Sequence, residues 1–137
     1  MSVYVPADLR RRVRTHFSDA CGYCHTLESL TVTIFEIEHI LPRAAGGETV
    51  FENLCLACPS CNRYKSDRTT GQNDVRLFHP QQDVWSEHFD WSVDGTTLVG
   101  LSEVGRETIS ALRINRPQMI RVRRMWTAFD AHPSTDL

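Results

Sequence analysis

Lysine is nearly missing from this chain. Of its 15 basic residues Lys65 is the only lysine, and the rest are arginine. Such a bias suits bidentate contacts to phosphate, because the guanidinium is a planar fork of donors; genome composition produces the same bias. Other absences narrow the class. No apolar run approaches membrane-spanning length, and Met1-Ser2-Val3-Tyr4-Val5-Pro6 lacks the basic-then-apolar order of a secretion signal. Internal repeats and low-complexity stretches are missing too. These absences predict a cytoplasmic protein with no membrane partner.

A strong excess of either charge is also lacking, since the net charge is −2. Its distribution says more. Arg10, Arg11, Arg12 and Arg14 cluster near the start, and Arg113, Arg116, Arg121, Arg123 and Arg124 near the end, around an acidic stretch that includes Asp74, Asp83, Glu87, Asp90 and Asp94. Basic faces of this kind hold phosphates even on a protein of neutral pI, or simply stay solvated on helix surfaces. The 137 residues, 41% hydrophobic, suit one domain or one compact domain with an extension.

What the chain does contain is two Cys-x-x-Cys pairs, Cys21-Gly-Tyr-Cys24 and Cys58-Pro-Ser-Cys61, with 33 residues between the inner cysteines. In a reducing compartment such pairs favour metal over disulfide. Four thiolates at this spacing close a tetrahedral zinc site that joins two knuckles of chain. Redox chemistry and an iron site are the competing readings. Cys55 also makes a Cys-x-x-Cys pair with Cys58, but its apolar neighbours Leu54 and Leu56 suit a buried thiol.

Local pattern places these motifs. Ala7 to Phe17, with Leu9, Val13 and Phe17 on one face, predicts a helix with arginines opposite. Leu30 to Ile40, with Val32 and Ile34 alternating against threonines, predicts a strand that Pro42 ends. A loop around Gly46-Gly47, a short strand over Asn53 to Ala57 and a helix from Cys61 to about Asp67 follow. The order is strand, loop, strand, helix. Further on, Asp94-Gly95 signals a hairpin, Gly105 to Ile114 a helix, and Pro117 another with Met119, Val122, Trp126 and Phe129 along one stripe. Fraying is expected from about His132.

Between the cysteine pairs lie Glu38-His39-Ile40-x-Pro42-Arg43-x-x-Gly46-Gly47 and Asn53-Leu54, and Asn62-x-x-Lys65 follows the last cysteine. This string, over about a third of the chain, resembles the HNH endonuclease family, in the branch with a four-cysteine zinc. The resemblance implies an α+β protein with a zinc-stapled ββα-metal core over residues 1–70, including the N-terminal helix. Residues 71–137 would form a packed C-terminal extension of a hairpin and two helices. It implies divalent-metal-dependent phosphodiester hydrolysis, with double-stranded DNA as partner and Mg²⁺ or Mn²⁺ beside the structural Zn²⁺. His39 matches the general base, Glu38 and Asn62 the ligands of the catalytic ion, and Asn53 the residue that braces the loop. The signature is His-Asn-Asn rather than His-Asn-His. Lys65, Arg43 and Arg63 are the candidate phosphate contacts, and Glu36, on Glu38's strand face, stands behind the ligands.

One tension is visible at once. Adjacent strand residues point to opposite faces, so Glu38 and His39 reach one ion only at a strand end or a bulge. Cutting both strands would call for two sites, hence a homodimer. A non-catalytic zinc module that only binds nucleic acid is the alternative; it would not need Glu38, His39, Asn53 and Asn62 together.

Overall fold

The computed structural model describes residues 4–135 and 137. Helix α1 (Ala7–His16) buries Val13 and leaves Arg10, Arg11 and Arg12 exposed. It packs on strand β2 (Leu54–Ala57) and on the short turn Phe51–Asn53. β2 pairs antiparallel with β1 (Glu36–His39) in the register Glu36↔Ala57, Ile37↔Leu56, Glu38↔Cys55 and His39↔Leu54. Helix α2 (Pro59–Lys65) follows directly, capped at its start by the Cys58 sulfur, which accepts from the Cys61 N–H. Pro59 sits in its first turn, where a missing N–H costs nothing. Strand, strand and helix thus stand in the expected order.

The first strand is shorter than its sequence pattern. Val32 and Ile34 stand 104% and 81% exposed, because β2 offers partners only as far as Glu36. Glu28–Leu30 turns as a short 3₁₀ segment instead. Alternation without a pairing partner does not make a strand.

The C-terminal half shares the same apolar cluster. Leu77, Phe78, Phe89, Leu98, Leu112 and Ile114 lie in it with Val13, Tyr23 and Leu56. Helix α3 (Trp85–His88) sets the Trp85 ring flat on His25 at 3.8 Å, and the indole N–H donates to the Tyr23 carbonyl at 2.9 Å. The hairpin forms from β3 (Phe89–Trp91) and β4 (Leu98–Gly100). Its loop is longer than a two-residue turn. Asp94 closes that loop by accepting from the Ser92 and Thr96 hydroxyls and from the Thr96 N–H. Helix α4 (Glu103–Ala111) starts at a Ser102 cap and α5 (Pro117–Ala128) at Pro117.

Two expectations for this half are corrected. Helix α5 buries Arg123 rather than the stripe ending at Phe129, which is 82% exposed. The Arg123 guanidinium donates to the carbonyls of Thr96 and Ile114 and to the Asn115 side chain, tying α5 to the hairpin. It is not a phosphate contact. His132 does not fray: its ring is buried edge-on against Trp91 at 4.5 Å, with Nε2 3.1 Å from the Gly95 carbonyl.

Candidate active site

β1 runs without a bulge, so Glu36 and Glu38 share one face while Ile37 and His39 share the other. His39 is the last residue of the strand. Its half-buried ring places Nε2 2.9 Å from the Thr49 hydroxyl. Burial first, and then the positive charge of Arg43, lower its pKa from the ordinary histidine value, against a smaller opposing pull from Glu38. The neutral imidazole is therefore the prevailing form at neutral pH.

The loop that follows is held by Asn53. Its Oδ1 accepts from the Leu41 N–H at 2.8 Å, and its Nδ2 donates to the carbonyls of Leu41 at 3.0 Å and Glu48 at 2.9 Å. The Ile40 N–H donates to the Asn53 carbonyl as well. One side chain thus closes residues 41–48 into a fixed loop beside His39. The glycine pair fits the same closure: Gly46 has φ +95°, and a Cβ on Gly47 would lie 1.8 Å from the Leu41 carbonyl oxygen.

The other face of β1 meets α2. Asn62 and Lys65, three apart on the helix, reach Glu36 and Glu38, two apart on the strand. Asn62 Nδ2 donates to Glu36 Oε2 at 2.7 Å on the exposed edge. Lys65 Nζ lies 2.7 Å from Glu38 Oε1 and donates to the Ile40 carbonyl at 2.9 Å. The Lys65–Glu38 contact is bent too far to be a hydrogen bond, so Oε1 is bound by charge alone. Glu38 Oε2 accepts from the Tyr23 hydroxyl at 2.8 Å and from the Cys55 thiol at 3.1 Å.

Two expected roles change on this geometry. Lys65, 1% exposed, is the buried counter-charge of Glu38 and does not reach a phosphate. Glu38, 5% exposed, is enclosed by Lys65, Tyr23 and Cys55, and the carboxylate that meets Asn62 is Glu36. Arg43 and Arg63 are both at the surface. Tyr23, between the zinc-pair cysteines, and Thr49, in the loop, carry no sequence signal for these contacts. Glu36 does: the two-residue period of a strand against the three-residue step of a helix pairs it with Asn62.

The Sγ atoms of Cys21, Cys24, Cys58 and Cys61 lie within 4.8 Å of one another, with Cys24 and Cys58 at 3.9 Å. A tetrahedron of thiolates about 2.3 Å from zinc has edges of about 3.8 Å, so the cluster is compatible with that ion. Hydrogen bonding from Cys21, first of several causes, holds the Cys24 thiol well below its ordinary pKa, while burial pushes Cys21 well above. Cys24 thus forms a thiolate readily, whereas Cys21 needs a cation beside it to do so. Cys55 stands outside the cluster on Glu38. His25, next to Cys24 in sequence, is not one of the four grouped ligands; its ring stacks on Trp85 and burial lowers its pKa to about 4.

Residues 21–68 match the family model described as HNH endonuclease. The matched stretch, about a third of the chain, is similar to HNH domains. No curated protein and no solved structure matches the chain. The matched segment spans both cysteine knuckles, β1, the braced loop, β2 and α2, and HNH domains are typically endonucleases acting on nucleic acids. No helix among the described residues is long and apolar enough to cross a membrane.

Proposed function

We propose that this protein is a divalent-metal-dependent endonuclease that hydrolyses phosphodiester bonds in double-stranded DNA, with His39 as general base and a structural zinc on the four cysteines. The observation that carries this reading is His39 itself: a half-buried, neutral-favouring imidazole beside a loop closed by Asn53. With the ring proton on Nε2, donated to Thr49, the Nδ1 lone pair is left to take a proton from water. Asn53 acts by positioning that loop. Arg43 and Arg63 supply exposed guanidinium groups for flanking phosphates. Reduced thiols suit the cytoplasm, and cutting both strands would use two copies.

The open oxygen donors on the α2 side of β1 are Glu36 and Asn62, and they suit a hard cation that keeps several of its waters. These two residues would hold Mg²⁺ or Mn²⁺. The ion, when bound, supplies positive charge at the scissile phosphate and the leaving oxygen. Supercoiled plasmid tests the reading: the protein should nick or linearise it in Mg²⁺ or Mn²⁺ and leave it intact without either. Binding with no cutting under all these conditions would make the protein a zinc-stabilised binding module.

Substitutions separate the two carboxylates. Glu36→Gln should melt within about 0.5 kcal/mol of wild type, as surface changes do, yet lose metal-dependent cleavage. Glu38→Gln should lose about 3–5 kcal/mol of stability, because Lys65 would be left charged and unpaired in the core. A stable Glu38→Gln variant with weakened response to Mg²⁺ would return the ion to Glu38.

The pH profile gives a further expectation. A lowered His39 pKa keeps the base neutral as pH falls, so the acid limb of kcat/KM, which reports the free protein, should lie below the ordinary histidine value of about 6.5. Arg43→Ala removes one lowering influence and should move that limb to higher pH. An unmoved limb would detach the limb from His39.

A further inference from the structure

We infer that the C-terminal half contributes a second anchor for the nucleic-acid backbone: an arginine patch built over Tyr64 from the turn between α4 and α5. This rests on the proposal that nucleic acid is the substrate. Tyr64 lies two residues after Asn62 on α2, half-buried. The guanidinium carbons of Arg113 and Arg116 stand 5.0 and 5.7 Å from its ring centroid. Both lie within the reach of a cation–π contact, and both carry the same sign. Arg63 and Arg68 line the adjoining cleft with Arg113, and Glu107 is the one acidic side chain there among the described residues. None of these four arginines is ion-paired to a carboxylate among the described residues.

The convergence is constructed rather than incidental. Arg68 donates to the carbonyls of Tyr64 and Ala111, the second of them 43 residues away in sequence, and so clamps the end of α2 to the end of α4. Arg116 in turn donates to the Arg113 carbonyl at 3.2 Å. Arg113 also stands in the left-handed region at φ +50°, just after the α4 cap at Leu112. Glycine is the usual occupant of such a position, since a side chain there costs conformational energy. An arginine held in a strained turn, facing other arginines and ion-paired to no carboxylate among the described residues, fits a polyanion. Two planar forks from one turn and the exposed Arg63 from α2 match successive phosphates along a backbone.

The strained turn also supplies a clean test. Arg113→Gly relaxes the backbone and so should melt no lower than the parent protein, whereas Arg116→Gln removes charge and keeps much of the side chain. Binding of a labelled DNA duplex is measured by anisotropy over a range of salt concentrations, without Mg²⁺ or Mn²⁺ and in a His39→Ala background, so that cleavage plays no part. Each substitution should weaken binding and flatten the slope of log K against log salt by about 0.9 for every phosphate left without its arginine. Parent-like affinity and slope in both variants would overturn the patch while leaving the nuclease reading untouched. No duplex binding by the parent protein would overturn both.

Discussion

Stripping the metal from the four cysteines should unfold this protein. The reason lies in how little regular structure surrounds the cysteines. The β1–β2 pair has four residues on each side, and a two-stranded hairpin is marginal by itself. The knuckle Cys21–Cys24 has no strand of its own; it is held by backbone bonds such as the Gly22 N–H to the Leu56 carbonyl and by the sulfur cluster. Tyr23, Trp85 and His25 build the seam to the C-terminal half on that knuckle. Structural zinc contributes about 10–16 kcal/mol at neutral pH, against a total stability of about 5–15 kcal/mol for a domain. A chelator, or Cys24→Ser with Cys61→Ser, should therefore abolish the cooperative thermal transition. Trp85 should report it, since its fluorescence would move towards that of a solvated indole. A chelated protein that melts as the metal-bound form does would show that the apolar cluster suffices alone.

Replacing His39 by alanine should leave the fold in place and remove the cleavage. The ring is half-buried at the end of β1, and it bonds to the Thr49 hydroxyl, which water can reach once the ring is gone. Truncation therefore strands no buried polar group there. Loss of a positioned general base costs about 10²–10⁴-fold in rate. The zinc cluster lies on separate elements and should keep its stoichiometry, and the thermal midpoint should stay near that of wild type. The same variant reads on the pH dependence: whatever rate survives should lack the acid limb that His39 imposes. A surviving limb would mean that another group titrates there.

Much of this arrangement is legible in the sequence because it depends on spacing. The two cysteine pairs announce a closed metal site, and Asn53 and Gly46-Gly47 mark a loop that needs a brace and a close backbone approach. The strand–strand–helix order follows from breakers and β-branched runs. What is not legible depends on contacts between distant segments. Val32 and Ile34 look like strand residues, and they would be if β2 were longer. Arg123 and Lys65 look like surface cations, and each is buried because carbonyls or a carboxylate from elsewhere wait for it. His132 looks frayed because its anchors, Trp91 and Gly95, lie about 40 residues upstream. Composition cannot tell a buried arginine bound to backbone carbonyls from one in a phosphate patch. Arg113 and Arg123 come from the same cluster in sequence and part company only in the fold.

In the proposed nuclease, cleavage depends on His39. The most direct measurement incubates supercoiled plasmid with wild type and with His39→Ala, purified identically and both zinc-loaded, in Mg²⁺ or Mn²⁺, and follows conversion to nicked and linear forms. Wild type should convert the plasmid rapidly, and the variant should do so at a rate lower by about 10²-fold or more. Equal cleavage by the two proteins would contradict the claim.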